Sequence, residues 1–242
     1  MKIKKYIKTS SSKYKIILED DTSLILYEDV ILKFNLLLTK EIRDLEEILK
    51  YNDKFALYDK ALTYISKKQR CESEIRKYLS RYTESLDDIN NTVKKLQENN
   101  FLNPTLYIKS YINDKIYLTL EGPIKIKNDL LALGMNLEEI ENELVIFNQE
   151  LIEEKIKKYI TKNIKSNKKS LYQFKNKMLL NLTNLGYSRN DILKYLDNIN
   201  IDEDNLKEKE IVKLRKKYER KYSGYELEMV IKRKLYERGY QD

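Results

Sequence analysis

A run of lysines is the feature of this sequence that most directly indicates binding chemistry. Residues 155–177 contain nine lysines and no aspartate or glutamate, and three aromatic residues are interleaved with them. Ammonium groups bind phosphate oxygens, and aromatic rings stack on nucleic-acid bases. A second basic stretch covers residues 213–221. The candidate residues for contact with a polyanion or an acidic protein are Lys155, Lys158, Lys162, Lys165, Lys168, Lys169, Lys213, Arg215, Lys216, Lys217, Arg220 and Lys221.

The same residues also have a purely structural interpretation. Helices carry solvated basic faces, and Tyr159, Tyr172 and Phe174 would then turn towards the core. The net charge of +8 and the pI near 9.1 favour polyanionic partners. However, the chain is rich in Lys, Asn, Ile and Tyr, as AT-rich genomes encode. The placement of the charge therefore carries more information than its total.

The residue types that catalysis needs are largely missing from this chain. It has no histidine, no Cys-x-x-Cys pair, no phosphate-binding glycine loop and no Gly-x-Ser-x-Gly motif. Its carboxylates fall at helix caps and exposed helix positions, and Cys71 stands where a capping serine or threonine is expected. We therefore expect no enzyme and no catalytic, metal or cofactor site.

The single cysteine and the hydropathy pattern bear on cellular location. A lone Cys71 excludes an intramolecular disulfide and fits a reducing compartment. The most apolar stretch, residues 30–38, is too short to span a membrane and contains Lys33 and Asn35. We expect a soluble cytoplasmic protein without a membrane segment.

The elements that position the lysines follow from a repeated pattern. Ile89, Ile140 and Ile192 are 51 and 52 residues apart, and each follows a Ser or Asn cap by four residues. A leucine lies ten residues before each of these isoleucines, and apolar residues return four and seven residues after it. A period near 50 residues indicates one structural unit used repeatedly. Each unit reads as three helices.

Turn residues predict where the second helix of each unit begins and ends. Gly134 and Gly186 fit left-handed turns after this helix, whereas Thr83 in the first unit implies a different turn. Ser170 and Ser223 begin capping-box patterns 12 residues before Leu182 and Leu235, respectively. Cys71 and Gly122 lie only eight residues before the matching leucines. The later units should therefore have a second helix about one turn longer.

These patterns predict a mainly all-α protein of tandem three-helix-bundle repeats. A small amino-terminal β-hairpin is expected from β-rich runs at residues 13–19 and 23–27, followed by a short helix over residues 28–36 and a second helix. Thr39 is expected to cap the second of these helices. The expected divisions are residues 1–53 for the hairpin and its helices, 54–103, 104–149 and 150–204 for three repeats, and 205–242 for a partial fourth repeat.

Several motifs resemble the RecX family of regulatory proteins. Arg70-Cys-Glu-Ser-Glu74 is similar to the Arg-Ser/Thr-x-x-Glu pattern that begins helix two of that family's first repeat. Gly122-Pro-Ile-Lys-Ile126 resembles its Gly-Pro-x-Lys/Arg-Ile motif, the most specific single signal here. Cys71 and Thr83 depart from the family pattern and question local turns only. Further similar segments are residues 61–65, Tyr78-Leu79, 99–103, Tyr111-Ile112 and Gly134-Met135.

The resemblance covers essentially the whole chain and implies regulation, chiefly inhibition, of the RecA recombinase in DNA repair, homologous recombination and the SOS response. It also implies an elongated, curved body that lies in the groove of the RecA–DNA filament and opposes its extension. From the placement of charge we expect the carboxy-terminal lysines to provide electrostatic docking, while the first two repeats contact RecA. The expected partners are the RecA filament and single- or double-stranded DNA, bound by a monomer.

Two alternatives stay open at this stage. The first is a helical-repeat protein that binds DNA or RNA directly and acts without RecA, which predicts tight duplex binding with a steep dependence on salt. The second is a helical scaffold for an unrelated protein, which predicts neither DNA binding nor an effect on RecA.

Overall fold

The computed structural model of the protein describes residues 1–240 and divides into two compact units, Met1–Tyr107 and Ile108–Asp242. The division falls inside a helix that begins at Pro104. Thirteen helices and three strands account for most of the described chain. The expectation of a mainly α-helical protein is therefore confirmed.

The amino-terminal sheet has three antiparallel strands in the order β1 (Ile3–Lys8), β2 (Lys13–Leu18) and β3 (Ser23–Tyr27). The predicted hairpin corresponds to β2 and β3, but sequence analysis missed β1. Three lysines interrupt the apolar residues of β1, so its alternation is weak in the sequence. Pairing with β2 supplies the hydrogen bonds, and Ile3 opposite Leu18 joins the buried core.

Three helices follow the sheet: α1 (Glu28–Lys33), α2 (Leu36–Thr39) and α3 (Leu45–Lys67). The prediction that Thr39 caps a helix is wrong, because Thr39 ends α2. The N-cap of α3 is Asp44, whose carboxylate accepts a hydrogen bond from the Glu47 N–H at 2.9 Å. The expected boundary between residues 53 and 54 falls inside α3. The amino-terminal segment and the first expected repeat therefore share this helix.

The first repeat continues with α4 (Glu72–Leu79) and α5 (Leu86–Glu98). Both helices pack against the second half of α3 around Ala61, Leu79 and Leu96. Cys71 is the N-cap residue of α4, as expected. Its N–H donates to the Glu74 carboxylate at 3.1 Å, which is the reciprocal bond of a capping box.

Eight further helices follow α5 within the described residues. They are α6 (Pro104–Leu118), α7 (Pro123–Ala132), α8 (Leu137–Leu144), α9 (Gln149–Ile164), α10 (Leu171–Asn184), α11 (Arg189–Leu196), α12 (Glu203–Tyr218) and α13 (Gly224–Glu237). The expected limits at residues 104, 150 and 205 lie within two residues of the starts of α6, α9 and α12. Residues 241 and 242 of the expected fourth repeat lie outside the described residues.

The predicted caps of the third helix in each repeat are present. The side chains of Ser85, Asn136 and Ser188 each accept a hydrogen bond from a backbone N–H in the first turn. Gly134, Gly186 and Gly239 have φ angles of +83°, +90° and +80°, which L-residues with a side chain rarely adopt. Thr83 has no such backbone conformation, so the first repeat does use a different turn.

The predicted difference in the length of the second helix is confirmed. This helix has 8 residues in α4 and 10 in α7, but 14 residues in both α10 and α13. One detail was wrong. Ser223 occupies the N-cap position of α13 but makes no capping hydrogen bond, whereas Ser170 accepts one from the Gln173 N–H at 3.3 Å.

Candidate basic interaction surface

The first group of candidate lysines lies on the solvent side of α9. Ile156 and Ile160 of this helix are buried in the core of the third repeat, which turns the opposite side of the helix outward. Lys158, Lys162 and Lys165 follow at intervals of four and three residues, so their side chains project from one face. All three residues are exposed.

Lys168 and Lys169 continue this group in the loop between α9 and α10. The Asn167 side chain shapes the loop, because it accepts a hydrogen bond from the Lys169 N–H at 3.1 Å and donates to the Lys169 carbonyl at 2.7 Å. Both lysines are exposed. We call Lys158, Lys162, Lys165, Lys168 and Lys169 the α9 basic surface. Within residues 1–240, none of its members forms an ion pair with a carboxylate.

Lys155 does not belong to this surface. Only 5% of the residue is exposed, and its ammonium donates to the carbonyls of Ile116 at 2.6 Å and Thr119 at 2.8 Å. These carbonyls lie at the carboxyl end of α6, where they have no partner within the helix. Burial lowers the pKa of the Lys155 ammonium below its ordinary value. Lys155 is therefore a structural link between α6 and α9, and we exclude it from the candidate interface.

The second candidate group lies along α12 and in the turn that follows it. Two of its members are engaged within the protein: Lys213 pairs with Glu210 at 3.4 Å, and Arg215 pairs with Glu228 of α13 at 2.6 Å. The other four members are exposed and form no ion pair within the described chain: Lys216, Lys217, Arg220 and Lys221. Part of this charge also complements the negative carboxyl end of α12.

The interleaved aromatic residues are mostly turned inward. Phe174 is buried in the core of the third repeat, and the half-buried Tyr159 accepts a hydrogen bond from Asn181 at 3.1 Å. Tyr172 is 64% exposed. The structural interpretation is therefore correct for Phe174 and Tyr159, while Tyr172 keeps a ring face that a partner could contact.

Two backbone hydrogen bonds hold the start of α7 against the turn that follows α10. Neither was expected from the sequence. At the start of α7, the Gly122 N–H donates to the Leu185 carbonyl at 2.6 Å, and the Ile124 N–H donates to the Gly186 carbonyl at 3.1 Å. A Cβ atom at Gly122 would lie 2.5 Å from the Gly186 oxygen. The Tyr187 hydroxyl adds a bond to the Leu120 carbonyl at 2.9 Å, and burial raises the pKa of this phenol. The second and third repeats are thus joined through glycines.

The third and fourth repeats meet at the corresponding place, the start of α10, through a side-chain hydrogen bond. Ser170 is fully buried at the start of α10, and its hydroxyl donates to the Arg238 carbonyl at 2.5 Å. A Cβ atom at Gly239 would lie 2.8 Å from the Tyr172 ring. This contact holds the loop that carries Lys168 and Lys169 against the end of α13. The recurrence of Gly-Tyr at residues 186–187 and 239–240 is the sequence signal that could have revealed both junctions.

A charged network surrounds the junction between the second and third repeats. Glu121 accepts hydrogen bonds from Lys115 and Lys125, both at 2.5 Å, and Tyr111 bonds to Asp129 at 3.3 Å. Burial works against ionisation of Glu121, but the bonds from Lys115 and Lys125 outweigh it and lower the pKa of this carboxyl. Lys125 is the lysine of the Gly-Pro-Ile-Lys motif, so this motif has a structural role at the junction.

Sequence analysis also missed part of the exposed surface of the fourth repeat. Lys209 extends the line of Lys213, Lys216 and Arg220 along α12 at intervals of four, three and four residues. On α13, the exposed large hydrophobic side chains are Tyr225, Met229 and Tyr236. Their positions off the apolar stripe of Leu227, Ile231 and Leu235 are the sequence signal that could have found them.

The described residues offer groups that can bind anions. Among residues 1–240, no group of three or more His, Cys, Asp or Glu side chains is arranged to hold a metal ion. None of the helices in this part of the chain combines the length and apolar character needed to cross a bilayer. The arrangement can hold negatively charged groups against exposed lysines and arginines.

Sequence comparisons identify close similarity to one kind of protein. The regulatory protein RecX of Lactococcus lactis subsp. cremoris strain MG1363 is 33% identical over 234 residues, which cover 91% of this chain and 86% of that protein. The regulatory protein RecX of Streptococcus agalactiae serotype Ia is 32% identical over 250 residues, covering 100% and 95% of the two chains. No protein-family model matches the chain.

Comparison with solved structures agrees with the sequence similarity. A crystal structure of regulatory protein RecX is similar with a TM-score of 0.65 and 25% identity, covering 78% of this chain and 96% of that one. The crystal structure of RecX from Lactobacillus salivarius gives a TM-score of 0.54 at 27% identity, covering 62% and 99%. The relatives are named regulatory proteins, which agrees with the expectation that the chain is not an enzyme.

Proposed function

The chain belongs to the RecX family of regulatory proteins, and from this premise we propose that it inhibits the RecA recombinase. We propose further that it lies in the groove of the RecA–DNA filament, opposes filament extension and acts in the cytoplasm. The observation that carries the proposal is similarity to RecX proteins over nearly the whole chain, at 32–33% identity.

The repeated architecture supports binding to a filament. Contacts at the start of the second helix join the second repeat to the third and the third to the fourth, and stacked repeats of this kind are suited to an extended partner. Several modest contacts made at once can bind far more tightly than any one of them. Each repeat therefore need not bind RecA strongly alone.

The α9 basic surface supports electrostatic docking to such a partner. Its lysines are exposed and form no ion pair within residues 1–240, so no internal partner has to be displaced on binding. A RecA–DNA filament carries a phosphate backbone, and neutralising phosphates releases bound counterions. We assign this docking role to the five lysines and to Lys216, Lys217, Arg220 and Lys221 of the fourth repeat.

The decisive experiment measures RecA-dependent ATP hydrolysis on single-stranded DNA while the full chain is titrated in. We expect hydrolysis to fall as the chain approaches stoichiometric amounts, because fewer RecA protomers remain in active filaments. Unchanged hydrolysis at stoichiometric amounts, together with strong DNA binding in the absence of RecA, would rule out the proposal.

The docking role is tested by reversing charge at Lys162, Lys165, Lys168 and Lys169. The fourfold Lys→Glu variant should inhibit RecA roughly tenfold less effectively, because repulsion replaces attraction at each phosphate. The matched control replaces the same four residues with arginine and should keep its inhibition. If the Lys→Glu variant inhibits as well as the natural chain at physiological salt, the assignment of these residues is wrong.

Direct binding of DNA or RNA without RecA is the second candidate function. The α9 basic surface favours it, because exposed lysines without internal partners bind polyanions in general. This function predicts that duplex DNA binds the chain alone with a steep dependence on salt. Equal affinity for RecA-coated and bare DNA would favour it over the RecA-directed function.

A further inference from the structure

The amino-terminal sheet has a face that points away from the protein core over most of its length. Alternation along the paired strands places Lys5, Ile7, Lys13, Lys15, Ile17, Ser23 and Ile25 on this face, which we call the outer sheet face. At its end, Tyr27 pairs with Lys13 and is buried in the core. The opposite face carries Ile16, Leu18 and Leu26, which are buried against the helices of the first unit.

Apolar residues on the outer sheet face are exposed without a packing role. Ile25 is 59% exposed and Ile7 is 38% exposed, while Ile17 between them is half-buried. The register pairs Lys15 with both Ile7 and Ile25, and it pairs Lys5 with Ile17. Lys5 and Lys15 are therefore each adjacent to isoleucine across the strands, and this part of the face alternates between cationic and aliphatic side chains.

The charge of this face is not neutralised within the sheet. Its seven positions include no carboxylate. In the β2–β3 turn, Asp21 pairs with Lys4 at 2.6 Å and Asp20 accepts hydrogen bonds from Thr22, while Glu19 is an exposed acid beyond the end of β2. Lys13 lies 4.6 Å above the ring of Tyr27, which leaves Lys5 and Lys15 as the cations without such a contact.

Parts of both sheet edges are occupied within the protein. Asn52 of α3 covers β3, because its side chain accepts from the Tyr27 N–H at 3.0 Å and donates to the Ile25 carbonyl at 3.3 Å. On the other edge, the Ile3 N–H at the start of β1 donates to the Lys40 carbonyl at 2.9 Å. Addition of a further strand is thereby opposed at β3 and at the start of β1.

We propose that the outer sheet face docks on an acidic protein surface that carries apolar side chains between its carboxylates. Lys5 and Lys15 would pair with the carboxylates, while Ile7, Ile17 and Ile25 would bury apolar area against the partner. A nucleic acid fits this face less well, because aliphatic side chains gain little at phosphates and do not stack on bases as aromatic rings do. This inference rests on the proposed function, and the partner surface is then on a RecA protomer.

The test places a photo-crosslinking amino acid at position 25 of the full chain and irradiates it with RecA and single-stranded DNA. Leu38 of α2, which is 84% exposed, is the control position outside the sheet. We expect position 25 to crosslink to RecA in higher yield than position 38. We also expect Lys5→Glu with Lys15→Glu to weaken RecA binding roughly tenfold, whereas Lys5→Arg with Lys15→Arg leaves it unchanged.

Three results would overturn the inference. The first is no crosslink from position 25 to RecA in a chain that still inhibits RecA-dependent ATP hydrolysis. The second is a crosslink from position 25 to DNA instead of RecA, and the third is unchanged RecA binding by the double Lys→Glu variant. Failure of the proposed function is recognised separately, because the natural chain would then leave ATP hydrolysis unaffected, and the inference would fall with it.

Discussion

Replacing Gly186 with alanine tests the junction between the second and third repeats. Gly186 has a φ angle of +90°, and a Cβ atom there would lie 2.9 Å from the Cα of Lys125 and closer still to its nitrogen. The substitution therefore combines a strained backbone with a collision against the backbone of α7. Neither can be relieved by turning a side chain.

Substitutions at two other glycines measure the backbone strain and the collision separately. Gly134 has a φ angle of +83° but open space around its Cα, so Gly134→Ala should cost only the left-handed strain, about 1–2 kcal/mol. Gly122 has an ordinary extended backbone with a φ angle of −93°, so Gly122→Ala should cost only the overpacking, about 1–3 kcal/mol. Gly186→Ala should cost about the sum, or about 2–5 kcal/mol.

Urea denaturation followed by far-ultraviolet circular dichroism measures these costs in the full chain. We expect the destabilisation by Gly186→Ala to match the sum of the destabilisations by Gly134→Ala and Gly122→Ala. If Gly186→Ala is no more destabilising than Gly134→Ala, the close contact between α7 and the Gly186 turn does not exist in solution. The description of the repeat junction would then be wrong.

Three further predictions concern the buried polar contacts. Lys155→Met should lower the free energy of unfolding by about 2–4 kcal/mol, because the carbonyls of Ile116 and Thr119 at the carboxyl end of α6 lose their donor. Lys158→Met at the exposed surface should have almost no effect in the same urea titration. Ser170→Ala should lower the free energy of unfolding by about 1–3 kcal/mol, because Ser170 is buried and its hydroxyl is hydrogen-bonded. Ser223→Ala should lower it by less than about 0.5 kcal/mol, because Ser223 makes no capping bond. Equal losses of stability in the two variants would contradict this difference. The folded-state pKa of Glu121 is lowered below its ordinary value of 4.5, so its ionised form stabilises the protein above that pH, and this contribution is lost as pH falls through the lowered pKa. Unfolding measured from neutral to acidic pH should show the stability advantage over Glu121→Gln shrinking in that range, and a constant difference would refute the role of the network.

The sequence predicted the helical repeats well because their signals are local. The caps at Ser85, Asn136 and Ser188 and the positive-φ turns at Gly134 and Gly186 depend on a few neighbouring residues. The longer α10 and α13 followed from counting residues between a cap and a core leucine. Such features need no knowledge of distant contacts.

The failures came from contacts between residues that are far apart in the chain. Strand β1 is stabilised by pairing with β2, and half of its own residues are lysines. Lys155 reads as one member of a lysine run, but its ammonium reaches carbonyls 36 and 39 residues earlier. The junctions of Gly122 with Gly186 and of Ser170 with Gly239 likewise required the fold to be known.

The candidate surface was only partly visible in the sequence. Lys158, Lys162 and Lys165 could be placed on one face by helical spacing, and that face is exposed. The ion pair of Arg215 could not be foreseen, because Glu228 approaches it from another helix, whereas the pair of Lys213 with Glu210 lies within α12 at a local spacing of three residues. Charge composition therefore identified the basic region of the chain, but not which of its lysines and arginines form ion pairs within the protein.

The most direct test of the proposed function is to watch fluorescent RecA filaments grow on single-stranded DNA while the full chain is added. The account predicts that growth slows and then stops as the chain approaches the concentration of RecA, and that the fourfold Lys→Glu variant of the α9 basic surface is much less effective. Unchanged filament growth at concentrations where the chain is bound to the same DNA would contradict it.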